Sequence, residues 1–131
     1  DEYETLMRAA RLCSIWLIAP TTPEERVTAI TARGSGFIYY ISREGVTGMQ
    51  TSVASNLEHM TGVIRQHTKL PIAVGFGISG PAQARQVAEC SDAIVVGSAI
   101  VNQIAEHGAE ADLSERVGAF VKTLVDAIRE K

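Results

Sequence analysis

The sequence predicts an α/β domain of parallel strands, and in particular the second half, strands five to eight, of a closed (β/α)₈ barrel. Three observations predict it. Short apolar runs of strand length alternate with segments of helical period. The connections between them are short, and that alternation demands parallel strands joined by helical crossovers. Two consecutive strand exits are rich in glycine, as in barrels that hold a phosphate after their last two strands. Four strand–helix units are present, whereas a closed barrel needs eight strands and roughly 250 residues. Four parallel strands could also form an open, doubly wound sheet, and the glycine placement favours the barrel. Residues 1–131 are read as one half of a single domain.

Each element has a local reason. Residues 3–11 read as a helix with Leu6, Met7, Ala9 and Ala10 available for a buried face. Residues 14–19 are a continuous apolar run ended by Pro20, the pattern of a strand buried on both faces. Thr22 is expected to cap the next helix, with Pro23 at its first position and Glu24 and Glu25 in its first turn. That helix is expected to stop near Gly34. Residues 36–42 are rich in aromatic and β-branched side chains and read as the second strand. A long turn over 43–50 leads to a helix over 55–67, with Leu57, Met60, Val63 and Ile64 on one face. Residues 70–77 are the third strand and its exit, and Pro81 opens a helix to about residue 89. Residues 92–97 are the fourth strand, Ser98 starts a short helix, and a last helix covers 112–130.

Composition narrows the class. Hydrophobic residues make up 46% of the 131-residue chain and charged residues 21%, which suits a packed globule. A net charge of −3 without a basic run argues against nucleic acid as a partner. No apolar run approaches the roughly 20 residues that span a bilayer, and the acidic start is unlike a signal peptide. A cytoplasmic protein with no membrane association is therefore expected. Cys13 and Cys90 have no metal spacing and are expected to be reduced thiols, buried or half-buried.

Chemistry is expected at the C-terminal ends of the strands. Gly75-Phe76-Gly77-Ile78-Ser79 ends the third strand, and glycines let backbone N–H groups approach an anion. Gly97-Ser98 ends the fourth strand and opens a helix, whose first N–H groups and dipole favour an anion. The blander readings are a tight turn and a serine N-cap. Two such exits in succession point to phosphate. Gly45-Val46-Thr47-Gly48 could reach the same anion as a lid, or be an ordinary loop.

Other candidates are weaker. His59, His67 and His107 lack metal spacing and read as surface histidines, and no metal site is expected. Asp92 falls at a strand start, on the end of a barrel that serves stability. Glu24, Glu25, Glu58 and Glu89 read as solvated helix residues, and Trp16 as core. Tyr39 and Tyr40 must point to opposite faces of their strand. General acid–base chemistry needs titratable groups at the exits. Only Arg43 and Glu44 lie near one.

The strand of 36–42, with the Arg43-Glu44-Gly45-Val46-Thr47-Gly48 that follows it, resembles the sixth strand and loop of tryptophan synthase α chains, a TIM-barrel family. Residues 71–79 resemble that family's seventh strand, 92–101 its eighth, and 17–26 the exit of its fifth. The resemblance covers essentially the whole chain, and the tyrosine strand followed by Gly-Val-Thr-Gly is its most specific part. It implies a lyase of tryptophan biosynthesis that cleaves indole-3-glycerol phosphate to indole and glyceraldehyde 3-phosphate. It implies no cofactor for this chain, since pyridoxal phosphate belongs to the β subunit that would be the partner in an α2β2 complex. It assigns the substrate phosphate to Gly48, Gly77, Gly97 and Ser98. Tyr39 would stand beside the substrate and the catalytic glutamate, and Thr47 would bond the catalytic aspartate. Leu17 and Phe76 would line the pocket.

The catalytic glutamate and aspartate of the family lie on and just after its second strand, which this chain does not include. No catalytic carboxylate is therefore expected here, and the chain alone is expected to be inactive. An N-terminal half of the barrel would be a further partner. The alternatives are a non-catalytic phosphate-binding half-barrel, or another phosphate-binding barrel such as a ribulose-phosphate epimerase relative. The tyrosine strand and the Gly-Val-Thr-Gly loop disfavour the latter.

Overall fold

Each apolar run becomes a strand and each periodic segment a helix. The computed structural model describes residues 2–42 and 50–129. Their order is α1 (Glu2–Ala9), β1 (Trp16–Ile18), α2 (Glu24–Arg33), β2 (Ile38–Ile41), α3 (Gln50–His67), β3 (Ile72–Gly75), α4 (Pro81–Ala88), β4 (Ala93–Val95), α5 (Ser98–His107) and α6 (Leu113–Arg129). The strands form one parallel sheet in chain order, β1-β2-β3-β4.

The two faces of this sheet differ. Ile18, Tyr40, Val74 and Ile94 stand side by side in the register, as do Ile38 and Ile72. Ile18, Ile38, Tyr40, Ile72 and Val74 are buried and join Val27, Leu57, Ile64, Ala84, Val87 and Leu124 from the helices in one core. The alternate row is Leu17, Tyr39, Ala73 and Ala93. Leu17 on this row is 53% exposed and Val95, one pleat further on, 37%, while Ala73 between them is buried. Helices α2, α3, α4 and α6 adjoin one another in turn as a single layer, with α5 against α6. A doubly wound sheet would carry helices on both faces. This one carries them on one.

Polar groups tie the layers together. At the N-terminal ends of the strands, Asp92 Oδ2 accepts from the Ile72 N–H at 2.8 Å and from Arg65 Nη2 at 2.9 Å. The aspartate thus joins β3, β4 and the end of α3, the stability role expected at that end. Thr61 and Ser91 are buried, and their hydroxyls donate to the carbonyls of Leu57 and Val87. Gly36, at φ +126°, carries the chain past Cys13 and Ile15, where a Cβ would meet the Ile15 side chain at 2.9 Å. Only glycine takes that backbone without strain.

Several local expectations need correction. Thr22 does not cap α2. Its hydroxyl oxygen accepts from the Ala19 N–H at 3.0 Å, closing the turn after β1, and Pro23 takes the N-cap position with extended backbone. Helix α3 begins at Gln50 rather than residue 55, because nothing between them breaks a helix. Cys13 is exposed, in the link from α1 to β1 where the chain passes Gly36. His67 is no free surface histidine. Its side chain is 21% exposed between α2 and α3, with Nδ1 3.1 Å from Thr28 Oγ1 and Nε2 3.5 Å from Glu24.

The bare apolar face and the two open edges carry a prediction. Monomers rarely leave an apolar face of this kind uncovered, and unpaired apolar strand edges recruit other chains. The 131-residue chain by itself is expected to self-associate at micromolar concentration in sedimentation. A compact 14.0 kDa monomer with cooperative unfolding would contradict this.

Candidate functional site

Parallel pairing sends all four strands out at one end of the sheet, so their exits are neighbours. The exit of β2 is tied to that of β3 by the Ser42 N–H, which donates to the Gly75 carbonyl at 3.0 Å. Thr47 and Gly48 lie beyond Ser42 and outside the described residues.

Tyr39 is the inward tyrosine and Tyr40 the outward one, 1% exposed in the core. The Tyr39 ring lies across the end of β3. A Cβ placed at Gly75 would stand 2.6 Å from its hydroxyl oxygen and 2.9 Å from Cε2. Gly75 is therefore what lets an aromatic ring occupy this corner of the bare face. Leu17 shares Tyr39's row on β1 and also lines an open cleft with Trp16, Arg26 and Arg33 at the sheet edge. Trp16 is half-buried there, its ring edge-on to Tyr3 and its Nε1 donating to the Arg33 carbonyl at 3.3 Å.

The turn after β3 is pinned on both sides of Gly77. Ile78 is buried in the core and Phe76 packs against it from a half-buried position. Gly77 between them is exposed at φ +61°, a conformation that costs other residues roughly 1–2 kcal/mol. After β4, Gly97 is the N-cap of α5, at φ −115° and ψ −75°, without a side-chain cap. Its carbonyl accepts from the N–H groups of Ile100 and Val101. Ser98 is thus the first helical residue, not the cap, and the N–H groups of Ser98 and Ala99 precede the first intrahelical bond. A Cβ at Gly97 would meet nothing within 4 Å, so the space above this helix start is open.

The arrangement can accept an anion. It offers a helix N-terminus, an exposed serine and an exposed glycine turn on adjacent strands. The residues at these exits, Phe76 to Ser79 and Val96 to Ser98, include no acid or base. Among the described residues, no group of three or more His, Cys, Asp or Glu could hold a metal. Burial pushes the Cys90 thiol up, against a smaller opposing effect of its hydrogen bond with Thr61, so it stays protonated at neutral pH. Sequence reasoning missed Gly75's role, which needs the cross-strand register. It also missed Gln83, whose side chain reaches back to the turn after β3.

A parallel four-stranded sheet with its helices in one layer and its other face largely open among the described residues is the architecture of half of a (β/α)₈ barrel. Comparison with known proteins agrees. The family model for the tryptophan synthase alpha chain matches residues 1–129, and the chain belongs to that family. The tryptophan synthase alpha chain of Opitutus terrae is 47% identical over 126 residues, 95% of this chain and 47% of that protein. That of a Picosynechococcus species is 48% identical over 115 residues, 87% of this chain and 43% of that protein. A solved Mycobacterium tuberculosis tryptophan synthase superposes with a TM-score of 0.82 at 30% identity, covering 98% of this chain and 47% of that one. A mutant α subunit from Pyrococcus furiosus gives 0.77 at 28% identity, covering 95% and 49%. The chain spans about half the length of the curated relatives it matches.

The Tyr39–Gly75 contact yields the second prediction. Gly75→Ala is expected to push the Tyr39 ring aside and destabilise the fold by about 1–3 kcal/mol, as overpacking does. The penalty should shrink when Tyr39 is also changed to Ala, because the methyl then has room. Denaturant unfolding of the two single variants and the double variant, in a complete barrel, checks this; additive effects would contradict it.

Proposed function

We propose that this chain supplies the phosphate-binding half of a barrel that cleaves indole-3-glycerol phosphate to indole and glyceraldehyde 3-phosphate in tryptophan biosynthesis. The observation that carries the reading is the pair of adjacent exits, the exposed Gly77 turn at φ +61° and the uncapped start of α5 at Gly97 and Ser98. Gly77, Gly97 and Ser98 would hold the phosphate through backbone N–H groups and the Ser98 hydroxyl, with Gly48 completing the site. Tyr39 and Leu17 on the bare face, with Phe76, would flank the organic part of the substrate. Thr47 would bond a catalytic aspartate from the other half.

The reaction itself needs groups from elsewhere. Breaking the bond between the indole ring carbon and the glycerol side chain requires a base for the side-chain hydroxyl and an acid for the ring carbon. The four preceding strand–helix units of the barrel would provide both carboxylates and would cover the bare face of this sheet. The partner of the complete barrel would be a tryptophan synthase β subunit in an α2β2 complex. It would hold the pyridoxal phosphate, and this chain would need no cofactor. The setting would be cytoplasmic; no helix among the described residues is long and apolar enough to cross a membrane.

Two tests follow. In a complete barrel carrying this half, Gly97→Val should project a branched side chain into the open space above α5 and weaken glycerol 3-phosphate binding at least tenfold by calorimetry, about 1.4 kcal/mol. Unchanged affinity would sink the phosphate assignment. The 131-residue chain alone should release no indole above background, since removing one general acid or base typically costs about 10²–10⁴-fold. Clear release would sink the division of labour between the halves.

A further inference from the structure

The turn that presents Gly77 is held by more than its two apolar anchors. Helix α4 starts at Pro81 behind Gly80, a cap residue with no side chain to satisfy the first N–H groups. Pro81 has no N–H to satisfy. Gln83, at the third helical position, turns its side chain back toward the chain that enters the helix. In a capping box such a residue bonds the N-cap N–H. Here it reaches one residue further, to Ser79. Gln83 Oε1 accepts from the Ser79 N–H at 2.8 Å and from the Ser79 hydroxyl at 2.8 Å. Both donors of Ser79 converge on one oxygen.

Two consequences follow. Ser79 looks like a candidate anion ligand by composition, a serine two residues past Gly77, yet its donors are already engaged within the loop. The loop between β3 and α4 is also fixed at three successive points. The Gly75 carbonyl is held by the Ser42 N–H, Ile78 is buried, and Ser79 is tied to α4. Gly77 is the exposed residue left between these ties, in a left-handed conformation.

We propose that Gln83 is a positioning residue for the anion site: by engaging both donors of Ser79, it holds the Gly77 turn in its binding shape before any ligand arrives. The inference rests on the phosphate reading given above. Its energetic basis is preorganisation, because a loop that is already ordered loses less entropy when an anion binds. Gln83 touches no ligand, and its effect passes through Ser79 and the backbone.

The test uses a complete barrel carrying this half, with glycerol 3-phosphate as the probe in calorimetry. Gln83→Ala should weaken binding roughly three- to tenfold, the equivalent of one hydrogen-bond tie. Ser79→Ala keeps the N–H tie and should weaken it less; it also covers the case in which Gln83→Ala fails to fold. The double variant should bind no more weakly than Gln83→Ala alone, because both changes break the same contact. In turnover, KM for the phosphorylated substrate should rise while kcat holds, the mark of binding lost equally from ground and transition states. A general loss of structure would lower kcat as well. Parent-like affinity in Gln83→Ala, additive effects in the double variant, or a fall in kcat with KM unchanged would each overturn the proposal. Failure of the parent itself to bind glycerol 3-phosphate would overturn the phosphate reading and this inference together.

Discussion

All three helical crossovers between the strands return on the same side of the sheet, and the rest of the structure depends on that. Side chains alternate along a strand, so one set faces the helices and the other faces away. Ile18, Tyr40 and Val74 are driven into the core with the apolar stripes of α2, α3 and α4. Leu17, Tyr39 and Val95 are left on the other face, which the described residues leave largely open. The same parallel pairing gathers the exits of β2, β3 and β4 at one end, while Asp92 ties the other end shut. Stability devices and candidate chemistry are thus separated along the strand direction, as a barrel requires.

The glycines at the exits answer to three different constraints. Gly75 is small because Tyr39 occupies the volume a side chain would need. Gly77 is there for its backbone, which sits at φ +61° between two residues anchored in the core. Gly97 meets neither a clash nor a positive φ. Nothing within 4 Å of its missing Cβ demands glycine, so the packing of this chain alone gives no reason for it. An exposed glycine at the uncapped start of α5, on the strand next to the Gly77 turn, leaves the first N–H groups of that helix approachable. The open approach to the N–H groups of α5 is what a bulkier residue would remove.

The parts of this fold that rest on local rules were legible in the sequence. Period and length marked all four strands to within two residues or so, and Pro20 and Pro81 marked where β1 is left and α4 entered. Alternation required Tyr39 and Tyr40 to diverge but could not say which faced inward; the cross-strand partners decide that. Misreadings came where a short polar side chain had a choice of partner. Thr22 has the right chemistry for a cap and uses it on Ala19 instead. His67 looked solvent-bound until α2 supplied Thr28 and Glu24. Nothing local singles out Gln83, because its partner Ser79 is reached by turning back across the helix start. The residues carrying the Gly-Val-Thr-Gly motif, 45–48, fall outside the described part of the chain, so Thr47 and Gly48 stand on resemblance alone.

On the proposed function, the two halves of the barrel would divide the work along a physical line. Holding a phosphate contributes equally to the bound substrate and to the transition state, because its charge does not change as the carbon–carbon bond breaks. Such uniform binding concentrates substrate without lowering the chemical barrier. Proton transfer to and from the reacting atoms differs between the two states and does lower it. Backbone donors on glycine turns suit the first task, since they are held in place by the fold and do not ionise near neutral pH. Carboxylates suit the second, because their pKa values can be tuned by burial and neighbours. A half that offers Gly77, Gly97 and Ser98 but no acid or base at the exits of β3 and β4 would, on that reading, serve as the grip. The strength of that grip would then show in KM and not in kcat. A preorganised turn strengthens that hold without taking part in proton transfer, which would fall to the carboxylates that the resemblance places on and just after the family's second strand.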